Sequence, residues 1–193
     1  MFYKRPAILM FIPVLLLYGS CVSRPVSYNS GFIDKEGVKI AVVHFKDYNV
    51  SEGNNSGELV RNVFEDILLK RGYGIVEIEK SAALLNRDLF EKGDVPSKWF
   101  IETGGAVGAD YMIYGSVHDY TIYQSYTTFI YIFGSLELTS SVGVTARMVS
   151  CKTGEIVWSG SLTRKSYTYN DAAEETVSEL IRTIRYRSKE KTE

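Results

Sequence analysis

The sequence is poor in the residues that chemistry at a protein site most often needs. It holds two histidines, His44 and His118, and two cysteines, Cys21 and Cys151, in 193 residues. These do not cluster at metal-ligand spacing, so no metal is expected. His44 lies inside a short apolar run, where a hydrogen-bonded core imidazole is favoured over catalysis. His118 is followed by Asp119, but adjacent residues on a strand point to opposite faces, so the two are not expected to act together. No cofactor is implied either. The glycines at 104, 105 and 108 end a helical pattern and enter a strand, the reverse of a phosphate held at a helix N-terminus. No apolar run reaches the roughly 20 residues that a membrane-spanning helix takes. Positive charge is not in excess: without Lys4 and Arg5 there are 20 basic and 23 acidic residues, a net charge of −3. A nucleic-acid partner, which calls for a concentrated basic face, is therefore not expected. With no catalytic constellation in view, the chain is read as non-enzymatic.

What is present begins with an address. Lys4 and Arg5 precede a short apolar stretch over 7–17, broken by Pro13, and then comes Leu17-Tyr18-Gly19-Ser20-Cys21. Small residues directly before a cysteine resemble a bacterial lipobox, which implies cleavage before Cys21 and a diacylglycerol on its thiol. Tyr18 departs from the aliphatic residue usual there. The alternative is an ordinary secretory signal over 1–20 that leaves Cys21 free. Acyl chains bury CH₂ groups at about 0.8 kcal/mol each, so several chains anchor a protein to a membrane. Val22, rather than an aspartate, follows the cysteine and points to the outer membrane, periplasmic face. With Cys21 acylated, Cys151 has no disulfide partner and is read as an inert residue near a turn. A mature chain of about 170 residues can stand on its core alone, burying about 70% of its unfolded surface.

Residues 21–37 are read as the lipidated cysteine and a flexible tether, with an arm packed along the domain as the alternative. Residues 38–187 form one domain and 188–193 a charged tail. The run 38–45 reads as a buried strand. Asn55 with Glu58 makes a capping-box pattern before a helix whose Val60, Val63, Phe64, Ile67 and Leu68 form one apolar stripe ending at Arg71-Gly72. A strand over 73–78 and helices over 81–92 and 97–107 follow. Residues 111–117 are apolar on both faces and must be covered on both. Beyond them, Leu136, Leu138, Val142, Val144, Ala146 and Met148 alternate with polar residues as in a half-buried antiparallel strand. Lys152-Thr153-Gly154 makes a tight turn, and Ile156, Trp158 and Leu162 continue the buried face. Asp171 with Glu174 caps a last helix carrying Ala173, Val177, Leu180, Ile181 and Ile184. The order β-α-β-α-α-β-β-β-α predicts an α/β (α+β) fold, a mixed β-sheet covered by helices.

Three stretches carry a resemblance: Val-Lys-Ile-Ala-Val-Val at 38–43, Gly-Ala-Asp-Tyr-Met-Ile-Tyr-Gly-Ser-Val at 108–117, and Lys-Thr-Gly-Glu-Ile-Val-Trp at 152–158. Together they resemble the periplasmic domain of the CsgG-like, LpoB/PelC-like bacterial lipoproteins over about 38–184. The resemblance implies a sheet covered by helices, held at the outer membrane, acting in rings or on an envelope partner without chemistry of its own. It makes Gly108, Asp110, Gly115, Thr153 and Gly154 a structural motif, with Asp110 orienting the loop before the central strand. The function it implies is a component of an envelope export or assembly complex, working through homo-oligomer or partner contacts. A monomeric activator of a peptidoglycan synthase and a pore-forming secretion subunit are the alternatives, although no room for a second membrane hairpin remains after Trp158. The contacts are sought in Tyr120, Tyr123, Tyr126, Phe129, Tyr131 and Phe133. This segment is read as an exposed hairpin or loop, against a strand extension within the fold or a membrane-inserted hairpin.

Overall fold

The computed structural model describes residues 26–29, 33–34, 37–48, 55–78, 87–93, 95–129 and 133–187. In chain order the elements are β1 (Val26–Asn29), β2 (Ile33–Asp34), β3 (Lys39–Lys46), α1 (Ser56–Lys70), β4 (Gly74–Ile75), α2 (Arg87–Lys92), α3 (Ser97–Val107), β5 (Tyr111–Phe129), β6 (Phe133–Ser150), β7 (Ile156–Ser166), α4 (Tyr169–Arg182) and β8 (Tyr186–Arg187). From β3 to α4 this is the expected β-α-β-α-α-β-β-β-α. A six-stranded sheet runs β1-β7-β6-β5-β3-β4. β3 is parallel to both β4 and β5, whereas β5, β6 and β7 form an antiparallel meander. β2 and β8 make a small parallel pair of their own.

Parallel strands need cover on both faces, and the sequence of β3 and β5 supplies apolar residues to both. Ile40, Val42, Ile113 and Val117 point into the larger core, where they meet Val60, Phe64 and Leu68 of α1 and Val177, Leu180 and Ile181 of α4. Ala41, Val43 and Met112 point the other way, against Phe90 of α2 and Phe100 of α3. The stripes expected on α1 and α4 are the buried faces of those helices. Trp158 is fully buried in the larger core, and its indole Nε1 donates to Thr183 Oγ1 at 2.9 Å. That bond satisfies the one polar atom the ring takes out of water.

The structure corrects several local expectations. Asn55 sits at the N-cap of α1, but its side chain makes no capping bond. The cap comes from the preceding loop: Asp47 Oδ1 accepts from Gly57 N at 2.7 Å and from Ser56 Oγ at 3.1 Å. α4 starts three residues earlier than expected, with the Thr168 hydroxyl accepting from Asp171 N. The second strand is short, only Gly74–Ile75 joining the ladder. Of the helix expected over 81–92, Leu84 and Leu85 lie outside the described residues. Leu138 and Ile156, expected to be buried, are 47% and 40% exposed. Within the expected tether, residues 26–29 lie along β7 in an antiparallel ladder from Val26↔Ser161 to Asn29↔Trp158. There the packed-arm alternative holds. An open strand edge recruits any backbone with free N–H and C=O groups, and a polar composition does not prevent it.

Replacing Asp47 by alanine is expected to lower stability by about 1 kcal/mol through loss of the cap. Asn55→Ala should stay within about 0.5 kcal/mol of the parent. Equilibrium urea unfolding of the two variants checks the assignment of the cap.

Candidate functional site

The glycine and aspartate singled out at 104–110 and the turn at 151–155 form one joint. α3 ends on Gly108 in the left-handed region at φ 72°, which a glycine adopts without steric cost. Asp110 then ties three elements together. Its N–H donates to Lys39 O at 2.8 Å, its Oδ2 accepts from Lys39 N at 3.0 Å, and its carbonyl accepts from Cys151 N at 2.9 Å. Cys151 fills the notch left by Gly104, where an added Cβ would stand 2.4 Å from its sulfur. Burial, with the Asp110 carboxylate beside it, pushes the Cys151 thiol up to about 11. Gly154, at φ 71°, turns the chain back, and a Cβ there would meet Ser97 at 2.8 Å. Thr153 Oγ1 accepts from Glu155 N inside the same turn. A Cβ on Gly115 would meet Thr145 O at 2.1 Å and the Phe45 ring at 2.7 Å. Asp110, Gly115, Thr153 and Gly154 thus make structural contacts, Gly108 serves through its backbone conformation alone, and Gly115 also borders the cleft described below.

The aromatic segment is both a hairpin and a strand extension. β5 and β6 stay paired from Tyr120↔Val142 to Phe129↔Phe133, well past the last residue that β5 shares with β3, Ser116. The six aromatic residues do not form a single surface. The Tyr120 ring stacks on Tyr169 of α4, centroids 3.9 Å apart and the rings nearly parallel, so it belongs to the fold rather than to a contact face. Burial raises the pKa of both phenols. Tyr123 is 46% exposed, with Lys165 Nζ 3.9 Å above its ring centroid. Tyr126, Phe129 and Phe133 are in the ladder, but their side chains lie outside the described residues, as does all of Tyr131. Ile122 and Leu138, which the sequence reading did not assign to a contact surface, stand exposed on the same hairpin.

A β-bulge between Val117 and Asp119 overturns the expectation that His118 and Asp119 face apart. The extra residue brings both to the same side, around Gly143. A Cβ on Gly143 would lie 2.6 Å from His118 Nε2, 2.6 Å from Thr163 Oγ1 and 2.9 Å from Asp119 Cβ. His118 bonds Thr163 Oγ1 through Nε2 at 3.2 Å and Thr145 Oγ1 through Nδ1 at 3.4 Å. Asp119 accepts from Thr121 and from the fully buried Ser141. The imidazole and the carboxylate are thus each held by hydroxyls and are not linked as a relay. Desolvation lowers the His118 pKa, with the Asp119 charge opposing it. His44, as expected, is hydrogen-bonded, its Nε2 3.3 Å from Glu91 Oε1. Next to Thr145, where α2 stops covering the sheet, a cleft of about 260 Å³ is lined by Lys46, Glu91, Lys92, Ser116 and Arg147 among others. Bulge and cleft together make a polar, hydroxyl-rich open face. Among the described residues, no group of three His, Cys, Asp or Glu side chains could hold a metal ion, and no helix is long and apolar enough to cross a membrane.

No family profile matches the chain, and no curated protein does. Solved structures do match. The PelC dodecamer from Paraburkholderia phytofirmans superposes with a TM-score of 0.57 at 16% identity, over 84% of this chain and 99% of that one. The fold is PelC-like. Lipoprotein GNA1162 from Neisseria meningitidis follows at 0.46 and 18% identity, over 76% and 97% of the two chains. The LpoB C-terminal domain from Salmonella enterica matches at 0.42 and 16% identity, over 70% and 86%.

Cys151 should resist thiol reagents at neutral pH in the folded protein, because so little thiolate is present, and should react once denaturant exposes it. A colorimetric thiol titration with and without urea reads this directly. His118 is favoured neutral in the folded state. Its contribution to stability is therefore complete above the ordinary imidazole value of 6.5 and is lost as pH falls from there toward the lowered folded value. His118→Gln should flatten that acid-side slope in a series of urea midpoints.

Proposed function

We propose that the chain is a CsgG-like outer-membrane lipoprotein, anchored through Cys21 on the periplasmic face. It serves as a non-enzymatic part of an envelope export or assembly complex and works as a homo-oligomer. The observation that carries this reading is the likeness to PelC, a protein solved as a dodecamer, over nearly the whole of that chain. The lipobox at 17–21 supports the anchor. The hairpin supports the contacts. Past Ser116, β5 has no partner on its β3 side among the described residues, which leaves an open edge as far as Phe129. Such an edge is a ready template for a neighbouring chain. Exposed Ile122, Tyr123 and Leu138 flank it with apolar area.

The faces of this hairpin argue against a membrane-inserted strand. Ile122 shares a face with Gln124, and Tyr123 shares the other with Thr121 and Ser125. A lipid-facing strand needs a continuous apolar face over about 9–11 residues.

The mature lipoprotein in mild detergent is expected to scatter light as a multimer. The paired change Ile122→Asp with Leu138→Asp should shift it toward the monomer and leave the melting midpoint in place. Cys21→Ser should move the protein from the membrane fraction to the soluble envelope fraction. A strict monomer at high concentration overturns the oligomer. If that monomer co-purifies with a cell-wall synthase, the LpoB-like reading takes its place.

A further inference from the structure

The cleft beside α2 is lined by none of the exposed hairpin residues Ile122, Tyr123 and Leu138. Its floor is the open face of β5 and β6. Ser116 and Thr145 are paired there across the ladder, and Arg147 follows two residues along β6, opposite Tyr114. The end of α2 forms one wall with Glu91 and Lys92, and Lys46 of β3 closes the side. Its volume, about 260 Å³, is near the lower end for a small-ligand site and too small for a folded segment.

Charge decides what fits. Lys46, Lys92 and Arg147 line the cleft against a single carboxylate, Glu91. That carboxylate is already engaged, 3.4 Å from Lys46 Nζ and 3.3 Å from His44 Nε2. Among the described residues that line the cleft, two positive charges are left uncompensated. The Arg147 side chain makes no ion pair or hydrogen bond among the described residues. A guanidinium presents its N–H donors as a planar fork that matches two oxygens of a carboxylate or a phosphate, and such charge-assisted bonds are the strong ones. The Ser116 hydroxyl on the floor adds a further donor. The floor itself is rigid: the Phe90 ring packs edge-on against Tyr114, 5.6 Å between centroids, and Gly115 is locked between Thr145 and Phe45.

We infer that this cleft binds an oxyanion, the carboxylate or phosphate group of a small ligand, with Arg147 as its principal donor and Lys46, Lys92 and Ser116 around it. The inference rests on the cleft alone and is independent of the oligomeric state. The test uses the mature lipoprotein in an uncharged detergent, with citrate and inorganic phosphate as separate probes in equilibrium dialysis. The expected result is saturable binding of one or both at a single site per chain, weakening as salt is raised. Arg147→Gln should cut the affinity about tenfold or more, and Arg182→Gln, at an exposed arginine on α4, should leave it unchanged. Citrate binding alone assigns the ligand a carboxylate, phosphate binding alone assigns it a phosphate, and each supports the site. Because Arg147 is exposed, its variant should melt with the parent, so lost binding cannot be confused with lost fold. The inference is overturned if neither probe binds at millimolar concentration, if Arg147→Gln binds as tightly as the parent, or if Arg182→Gln weakens binding equally.

Discussion

The parallel pairing of β3 with β5 is the constraint on which the rest of this structure depends. Two parallel neighbours cannot be joined by a tight turn, so the chain between them must leave the sheet, and both faces of the pair must be covered. The segment from α1 to α3 does both. α1 closes one face with α4, and α2 and α3 close the other. Asp110 then returns the chain to the sheet at the right height, with its backbone and its carboxylate both bonded to Lys39 at the start of β3. The turn after β6 locks into the same corner through Cys151.

The cover does not extend along the whole of β5. Beyond Ser116 the strand leaves β3, and within two residues the bulge at His118 changes what the sheet presents. Before that point one face is apolar throughout, and the other is apolar until Tyr114 and Ser116, which lie beside Arg147 and Thr145 at the cleft. After it, one face carries Asp119, Thr121, Ser141 and Thr163, and the other keeps Tyr120 stacked on α4 before it opens to solvent at Ile122. One strand therefore does two jobs. Its first half is a core element, and its second half is a paired blade whose other edge has no partner among the described residues. Chemistry-bearing side chains collect at the boundary because it is the first place where the sheet meets water and still has a rigid floor.

The order of elements was legible because it rests on periodicity. The alternation of β6 at Val142, Val144, Ala146 and Met148 and the stripes of α1 and α4 depend only on which neighbours fall on one face. The caps were misplaced for a different reason. Asp47 reaches α1 across a loop, and Asp171 with Glu174 repeats the pattern that Thr168 with Asp171 makes three positions earlier. Leu138 and Ile156 carry the right pattern and stay exposed, because alternation marks a face of the sheet and not how far its cover extends. The open face was the least legible part. Its centre is a bulge, and a bulge follows from the register between two strands, which local sequence does not specify.

By itself, then, the amino-acid sequence determined the alternation of strands and helices and most of the apolar residues of the core. Each of these is a property of composition or of short-range period. Only the tertiary structure decided that His118 and Asp119 share a face, that Tyr120 belongs to the core and Tyr123 to the surface, and that Lys46, Lys92 and Arg147 line one cleft. The physical reason is that these juxtapositions arise from strand register and from where helical cover stops, and both are set by contacts between segments far apart in the chain.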